Sequence, residues 1–308
     1  MKTCLLATCG GKSLTPYMAW FSSAWGRAGG EYKWDIKLPR KVRAILGRTL
    51  TFSTGINSGR LLVCSGHRVE SVAWPWCYFY EIVPVMWDVW PGYFEPLVNF
   101  IRKCKVKLVF CTSSQQVEHL KERVPGLNAI WLPEGIDVAS YPVGTRLVDR
   151  PVDVLEYGRR MEPVHDALVD HKFKRPFAHA FSTGNDLLFP DFDSMTAGIR
   201  NAKITICYPQ CDTKPWRAGE IETVTQRYWE GMLSGTLIAG RAPKELIDLC
   251  GYNPVIALGE QPAWQIEEIL NHIEDYQALV DRNRAYAEKN ADWSTRIPIV
   301  MKALQDNG

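Results

Sequence analysis

Residues 222–239 read E-T-V-T-Q-R-Y-W-E-G-M-L-S-G-T-L-I-A. From Thr223 to Ser234 the stretch carries no proline and few breakers, so a helix is expected over 222–234. Gly235 suits the left-handed position just past a helix end. Thr236–Ala239 then reads as a short buried strand. A strand at Lys203–Tyr208 comes before, followed by the loop C-D-T-K-P-W-R-A-G-E-I at 211–221. Strand, loop, helix, strand is the crossover rhythm of a parallel sheet covered on both faces. The expected helix start offers unpaired N–H groups and a partial positive charge, a cradle for a diphosphate. Lys214 and Arg217 on the approaching loop add charge to it. Glu222 and Glu230, eight positions apart, span about 12 Å along a helix. That is the reach between the two ends of a sugar nucleotide, and a carboxylate accepts hydrogen bonds from the paired hydroxyls of a ribose.

The same rhythm extends outward. In the first half, strands are expected at Lys2–Thr8, Arg60–Ser65, Glu81–Trp87, Lys107–Thr112 and Ala129–Leu132. Helices are expected near 17–27, 93–104 and 114–123, with Ser114 as an N-cap. Gly135–Arg150 has the glycine and proline of a linker. The second half restarts with strands at Val152–Tyr157, Phe177–Phe181, Lys203–Tyr208, Thr236–Ala239 and Val255–Leu258. Its helices fall near 163–171, 191–201, 222–234, 243–250 and 264–289. The fold class is therefore α/β, with two tandem doubly wound, Rossmann-like domains facing a cleft. The expected boundaries are 1–140, 141–290 and a C-terminal helix at 291–308 that returns to the first domain. In such folds the ligand sits beyond the carboxyl ends of the strands.

Composition agrees with a globular protein: 308 residues, 46% hydrophobic and 23% charged. The nine cysteines are scattered, odd in number and without a C-x-x-C, which fits reduced thiols in a cytoplasmic protein. No metal is expected. The net charge of +2 is uneven. Residues 1–140 hold 17 Lys and Arg against 10 Asp and Glu; residues 141–308 hold 19 against 24. The basic first half favours an anionic partner. Trp74, Trp76, Tyr78, Phe79, Tyr80, Trp87, Trp90, Tyr93 and Phe94 form a dense aromatic run, with Arg102, Lys103, Lys105 and Lys107 just after it. Core packing explains most of that run. Its combination with basic residues also suits a peripheral contact with the inner face of a membrane. No nucleic-acid motif is present, so no nucleic-acid partner is expected. Gly10-Gly-Lys-Ser13 lacks the glycine at position 6 that a phosphate loop requires. His67 follows a strand and is read as a structural histidine or a ligand-facing one.

The segment 222–235 resembles the E-x7-E signature of the retaining GT-B glycosyltransferases, with Gly-Met-Leu-Ser-Gly in place of that family's turn. Gln226-Arg227 before Trp229-Glu230 is similar to the R-x-x-E of the spore-protein-like branch. Val152-Asp-Val-Leu-Glu-Tyr-Gly-Arg159 resembles the opening strand of the nucleotide-binding domain, ending in Gly158-Arg159. Trp131-Leu-Pro-Glu-Gly-Ile-Asp137, Phe110-Cys-Thr-Ser-Ser114 and Ala291-Asp-Trp-Ser-Thr-Arg296 resemble further family segments. The resemblance covers roughly residues 82 to 300.

It implies a glycosyltransferase that moves a sugar from a nucleoside diphosphate, UDP- or GDP-linked, to a hydroxyl of a glycan or lipid-linked acceptor. Retention of configuration and a role in cell-surface polysaccharide or lipopolysaccharide assembly follow from the same resemblance, and no cofactor or metal is required. Glu222 would hold the donor sugar and Glu230 the ribose. Arg159, with Lys214 or Arg217, would neutralise the diphosphate, with Gly158 and Arg227 beside it. Asp88 would act on the acceptor side. Many family members carry His-Asp where this chain has Trp87-Asp88, and lysine where it has Val164. Those departures keep open an inactive nucleotide-sugar-binding protein, and an epimerase or hydrolase on the same architecture is the other alternative.

Overall fold

The computed structural model describes residues 2–7, 16–183 and 188–307. Gly10, Lys12 and Ser13 of the glycine-rich opening therefore lie outside the described residues, as does Cys9. The chain forms two compact units. The first comprises Met1–Glu134, Trp216–Ile221 and Trp293–Gly308; the second comprises Gly135–Pro215 and Glu222–Asp292.

Unit 1 runs β1 (Thr3–Ala7), α1 (Tyr17–Arg27), β2 (Glu31–Trp34), α2 (Arg40–Leu50), β3 (Arg60–Ser65), α3 (Val69–Ala73), β4 (Glu81–Met86), α4 (Pro91–Cys104), β5 (Leu108–Cys111), α5 (Ser114–Arg123) and β6 (Asn128–Trp131). Its six strands are all parallel, in the order β2-β1-β3-β4-β5-β6. Every residue of β3 is buried, and successive side chains feed opposite cores. Leu61 and Val63 pack with Val98, Ile101 and Val109, whereas Leu62 and Cys64 pack with Phe21, Phe110 and Trp293. That period of two is what a parallel strand covered on both faces requires.

Unit 2 runs β7 (Val152–Glu156), α6 (Glu162–Asp170), β8 (His179–Phe181), α7 (Phe192–Arg200), β9 (Ala202–Cys207), α8 (Gln210–Thr213), α9 (Pro215–Ala218, reaching into the residues of unit 1), α10 (Gln226–Leu233), β10 (Leu237–Gly240), α11 (Lys244–Cys250), β11 (Ile256–Ala257), α12 (Pro262–Asn271) and α13 (Gln277–Asn290). Its sheet order is β11-β10-β9-β7-β8, again all parallel. A last helix, α14 (Ile297–Asp306), belongs to unit 1, where Ile297, Val300, Ala303 and Leu304 fill one core. The Arg60 guanidinium closes its end by donating to the Leu304 and Asn307 carbonyls.

Several local expectations change. The helix after Glu222 begins only at Gln226, with Thr225 as its extended N-cap. The residue capping α5 is Ser113, not Ser114. The expected single helix 264–289 breaks at His272 into α12 and α13, joined by a 3-10 turn at Ile273–Tyr276. Gly135–Arg150 is less a linker than a packed segment: Tyr141 and Leu147 are buried, and Arg150 donates to the carbonyls of Thr145, Ala202 and Ser234. β2, α2 and α3 had no counterpart in the sequence reading. Within the aromatic run, Trp87 and Trp90 are buried in unit 1, Trp74, Trp76, Tyr78 and Tyr80 are half-buried, and Phe79 is exposed.

Candidate functional site

In unit 2 the chain starts at β7, moves to β8 on one side, then crosses to β9, β10 and β11 on the other. The strand order therefore reverses between β7 and β9. A crevice opens beyond the carboxyl ends of the strands at such a point. β7 runs into Tyr157-Gly158-Arg159 and β9 into Tyr208. Gly158 has φ +75, a left-handed turn that brings the backbone against Arg227; a Cβ here would lie 3.4 Å from Arg227 Cδ. Arg227 is buried on α10 and ties the two strand ends together. Its Nη1 donates to the Arg159 carbonyl and its Nη2 to the Tyr208 carbonyl, both at 2.9 Å. The family-like Arg227 and Gly158-Arg159 thus meet at one place, although 68 residues of sequence separate Arg159 from Arg227.

Glu230, one turn further along α10, points into unit 2. It is 2% exposed, and its carboxylate oxygens accept from the hydroxyls of Tyr141 at 3.1 Å and Tyr157 at 3.0 Å. Burial pushes its carboxyl above the ordinary value, opposed by the two tyrosine hydroxyls and by Arg227. The sequence alone placed Glu230 toward a ribose; here both of its oxygens are engaged by tyrosines.

Glu222 lies on the loop before α10 instead of in its first turn. Its Oε2 is 2.6 Å from Arg241 Nη1, and its Oε1 accepts from the Lys244 backbone N–H at 3.0 Å. Glu245 answers in the other direction, accepting from the Val224 N–H at 3.1 Å. These crossed bonds fix the loop 222–225 against the start of α11. Arg241 also grips Asp212 in a fork, at 2.6 and 2.8 Å. The hydrogen bonds that Arg241 donates to Asp212 and Glu222 hold the guanidinium charged against the effect of burial. Tyr228 closes the arrangement by donating to the Arg241 carbonyl at 2.6 Å.

The first residues of α10 carry an unusual set. Thr225 Oγ1, Gln226 Nε2 and Arg227 Nε are each buried without a hydrogen-bond partner among the described residues. Buried polar atoms are nearly always paired, so consecutive exceptions call for a reason. All three can donate, and they sit at a helix start, where backbone N–H groups also point outward. Sequence reading found Arg227 but not Thr225 or Gln226; the only hint was a threonine in N-cap position. Lys214 is exposed and belongs to unit 2, whereas Arg217 is exposed and belongs to unit 1. The loop that was read as one phosphate-facing stretch is therefore divided.

In unit 1, the residues after β3 and β4 form a second cluster. Asp88 adopts a left-handed backbone at φ 50 and interacts electrostatically with His67 and Tyr17. The His67 ring lies 4.4 Å from that of Tyr93. Burial lowers its pKa, Asp88 opposes that shift, and Arg217 reinforces it. Burial, with the carboxylates of Asp88 and Glu134, pushes the Tyr17 hydroxyl up to about 12.

One grouping of described residues has the make-up of a metal centre: Glu156, His165 and His179. The His165 Nδ1 to Glu156 Oε2 distance is 2.6 Å. Two ligands on a tetrahedral zinc stand about 3.3 Å apart, from metal–ligand distances near 2.0–2.1 Å. Arg160 Nε is also 3.7 Å from the same oxygen. The geometry is that of a carboxylate hydrogen-bonded to histidine beside a guanidinium.

No family model matches the chain, and no curated protein matches it. Solved structures do. HepE from Anabaena, solved with UDP and glucose, aligns with a TM-score of 0.64 at 11% identity, over 99% of this chain and 100% of that one. The same protein with UDP-glucose aligns at 0.63 and 12% identity, over 99% and 100%. Sucrose-phosphate synthase from Thermosynechococcus elongatus aligns at 0.62 and 11% identity, over the whole of both chains. Identities this low speak to architecture: the chain has the fold of the GT-B glycosyltransferases, two Rossmann-like domains each built on a parallel sheet.

Proposed function

We propose that the chain is a glycosyltransferase that moves a sugar from a nucleoside diphosphate to a hydroxyl acceptor. The observation that carries this reading is the start of α10. Three successive buried donor atoms, Thr225 Oγ1, Gln226 Nε2 and Arg227 Nε, stand without partners among the described residues, beside the Gly158 turn at the strand-order reversal. A diphosphate satisfies such donors, and HepE, of the same fold, was solved with UDP and with UDP-glucose.

In this reading Arg159 and Lys214 neutralise the diphosphate. As the bond from the anomeric carbon to the diphosphate oxygen breaks, charge grows on the leaving group, and fixed donors aimed there lower the barrier. The new bond joins the anomeric carbon to the acceptor oxygen, whose proton passes to the departing diphosphate. Glu222, held by Arg241, contacts the donor sugar. Glu230 takes the ribose by exchanging the Tyr157 hydroxyl for a ribose hydroxyl. Asp88, with His67 and Arg217 on unit 1, serves the acceptor. Retention of configuration and a surface-polysaccharide acceptor complete the proposal and rest on the E-x7-E resemblance.

A thermal-shift series with UDP, GDP, ADP and CMP conjugates tests it. A donor present at 100 times its Kd stabilises the fold by about 2.7 kcal/mol. If none of the four bases shifts the melting temperature at millimolar concentration, the reading is wrong. The second reading, binding without turnover, is favoured by Glu222 having both oxygens already engaged. A shift with UDP-glucose but no release of UDP with any glycan or lipid acceptor would establish it.

A further inference from the structure

A second feature lies on unit 1, among residues given no role above. Between Tyr32 and Ile56 the protein exposes an unusual density of large apolar side chains. Trp34 is 80% exposed, Ile45 64% and Ile56 57%, with Leu38, Val42 and Phe52 also open to solvent. The fold does not need them there. α2 already packs its other face: a Cβ on Gly47 would come within 2.7 Å of the Glu70 and Ser71 backbone, so that side lies hard against α3. Val42 and Ile45, a turn apart, project the opposite way, with Lys41 and Arg48 beside them.

The stretch is also strongly basic. Residues 32–56 contain six Lys and Arg and one acidic residue, Asp35. Asp35 is neutralised by an ion pair with Arg43 and also accepts from Trp76 Nε1 at 3.0 Å. The Arg43–Asp35 pair binds the segment after β2 to α2, and Phe52 packs on Tyr78 at 5.0 Å. These ties hold the segment after β2, α2 and the chain beyond it together on the α3 side, and leave the apolar residues named above exposed. Lys37, Lys41 and Arg48 are exposed on it, with no carboxylate left free among residues 32–56.

We propose that this surface docks on an anionic lipid bilayer, with Trp34, Val42 and Ile45 seated at the headgroup–acyl boundary and Lys37, Lys41 and Arg48 among the phosphates. Apolar burial and basic side chains act together there. A second copy of the chain does not fit, because the contact would place two unneutralised basic surfaces face to face. A nucleic acid would take the charges but leave Trp34 and Ile45 in water. The surface lies in α2 and its flanks, not in the aromatic run 74–94 that the sequence suggested. None of its residues is assigned to the donor site.

The test is co-sedimentation of the full chain with vesicles of phosphatidylcholine alone and of phosphatidylcholine mixed with phosphatidylglycerol. Binding is expected to the mixed vesicles only, and to weaken as salt rises. Ile45→Glu and the pair Lys37→Glu, Lys41→Glu should each weaken binding about tenfold or more. Both sites are exposed, so the melting temperature and UDP response should not change. Equal binding to both vesicle types, binding unaffected by these variants, or no vesicle binding by the native chain would overturn the proposal. In the last case an acidic protein would be the occupant to seek.

Discussion

Tyr157 donates its hydroxyl to Glu230 Oε2 at 3.0 Å, from the residue directly after β7. The second glutamate of the E-x7-E spacing is therefore wired to the strand end that carries Gly158 and Arg159. A change at Glu230 should be felt at the Gly158 turn even without ligand contact. Its titration follows from the same burial. A buried acid with a raised pKa holds its proton more tightly in the folded chain than in the unfolded one. Its favourable contribution is complete below the ordinary value of 4.5 and is lost as pH rises through the raised folded value. Glu230→Gln should flatten that decline. Melting temperatures of both proteins between pH 4 and 8 (about the span over which a raised carboxyl titrates) check it, and parallel curves would refute it.

Thr225→Val separates a ligand contact from a structural one. The hydroxyl has no partner among the described residues, so its loss should leave stability within about 0.5 kcal/mol. UDP affinity should fall about tenfold, near 1.4 kcal/mol, if the hydroxyl meets the diphosphate. Calorimetric titration with UDP reads the second effect and a denaturant melt the first.

Arg150 holds the base of unit 2. Its guanidinium donates to three carbonyls and to Thr236 Oγ1, and burial pulls its pKa down to about 10. Arg150→Met strands those acceptors and should cost about 3 kcal/mol or more. Urea unfolding followed by circular dichroism is the measurement.

Gly240 ends β10 at φ +132, and a Cβ there would stand 2.2 Å from the Cys207 carbonyl oxygen. Gly240→Ala should lose about 2 kcal/mol or more of stability. Because Arg241 follows directly, donor binding should weaken as well, seen as a smaller thermal shift with UDP.

Trp293 sits among Phe21 and Trp87, with ring centroids 5.2 and 5.7 Å away. Trp293→Ala should destabilise unit 1 by about 3–5 kcal/mol. Removal of residues 293–308 should leave that core open and the protein aggregated, read by size-exclusion chromatography.

Much of the architecture was legible because parallel strands buried on both faces are near-continuous apolar runs. Arg60–Ser65 and Val152–Glu156 were found within a residue or two for that reason. β2 and α2 were missed because their apolar residues face solvent, so the pattern that marks a core-facing element is absent. The helix starts only at Gln226 because Glu222 and Val224 bond to the start of α11, a partner that local propensity does not reveal.

The sequence by itself determined the alternation of strand and crossover helix, and the spacing that sets Arg227 three residues before Glu230 on one helix. Only tertiary structure decided what those side chains face. Glu230 turned to two tyrosines, Glu222 to Arg241, and Arg217 went to a different unit from Lys214. The reason is one of range: periodicity reports on which face of an element is apolar, whereas the partner of a buried polar group comes from chain tens of residues away, brought there by the sheet order.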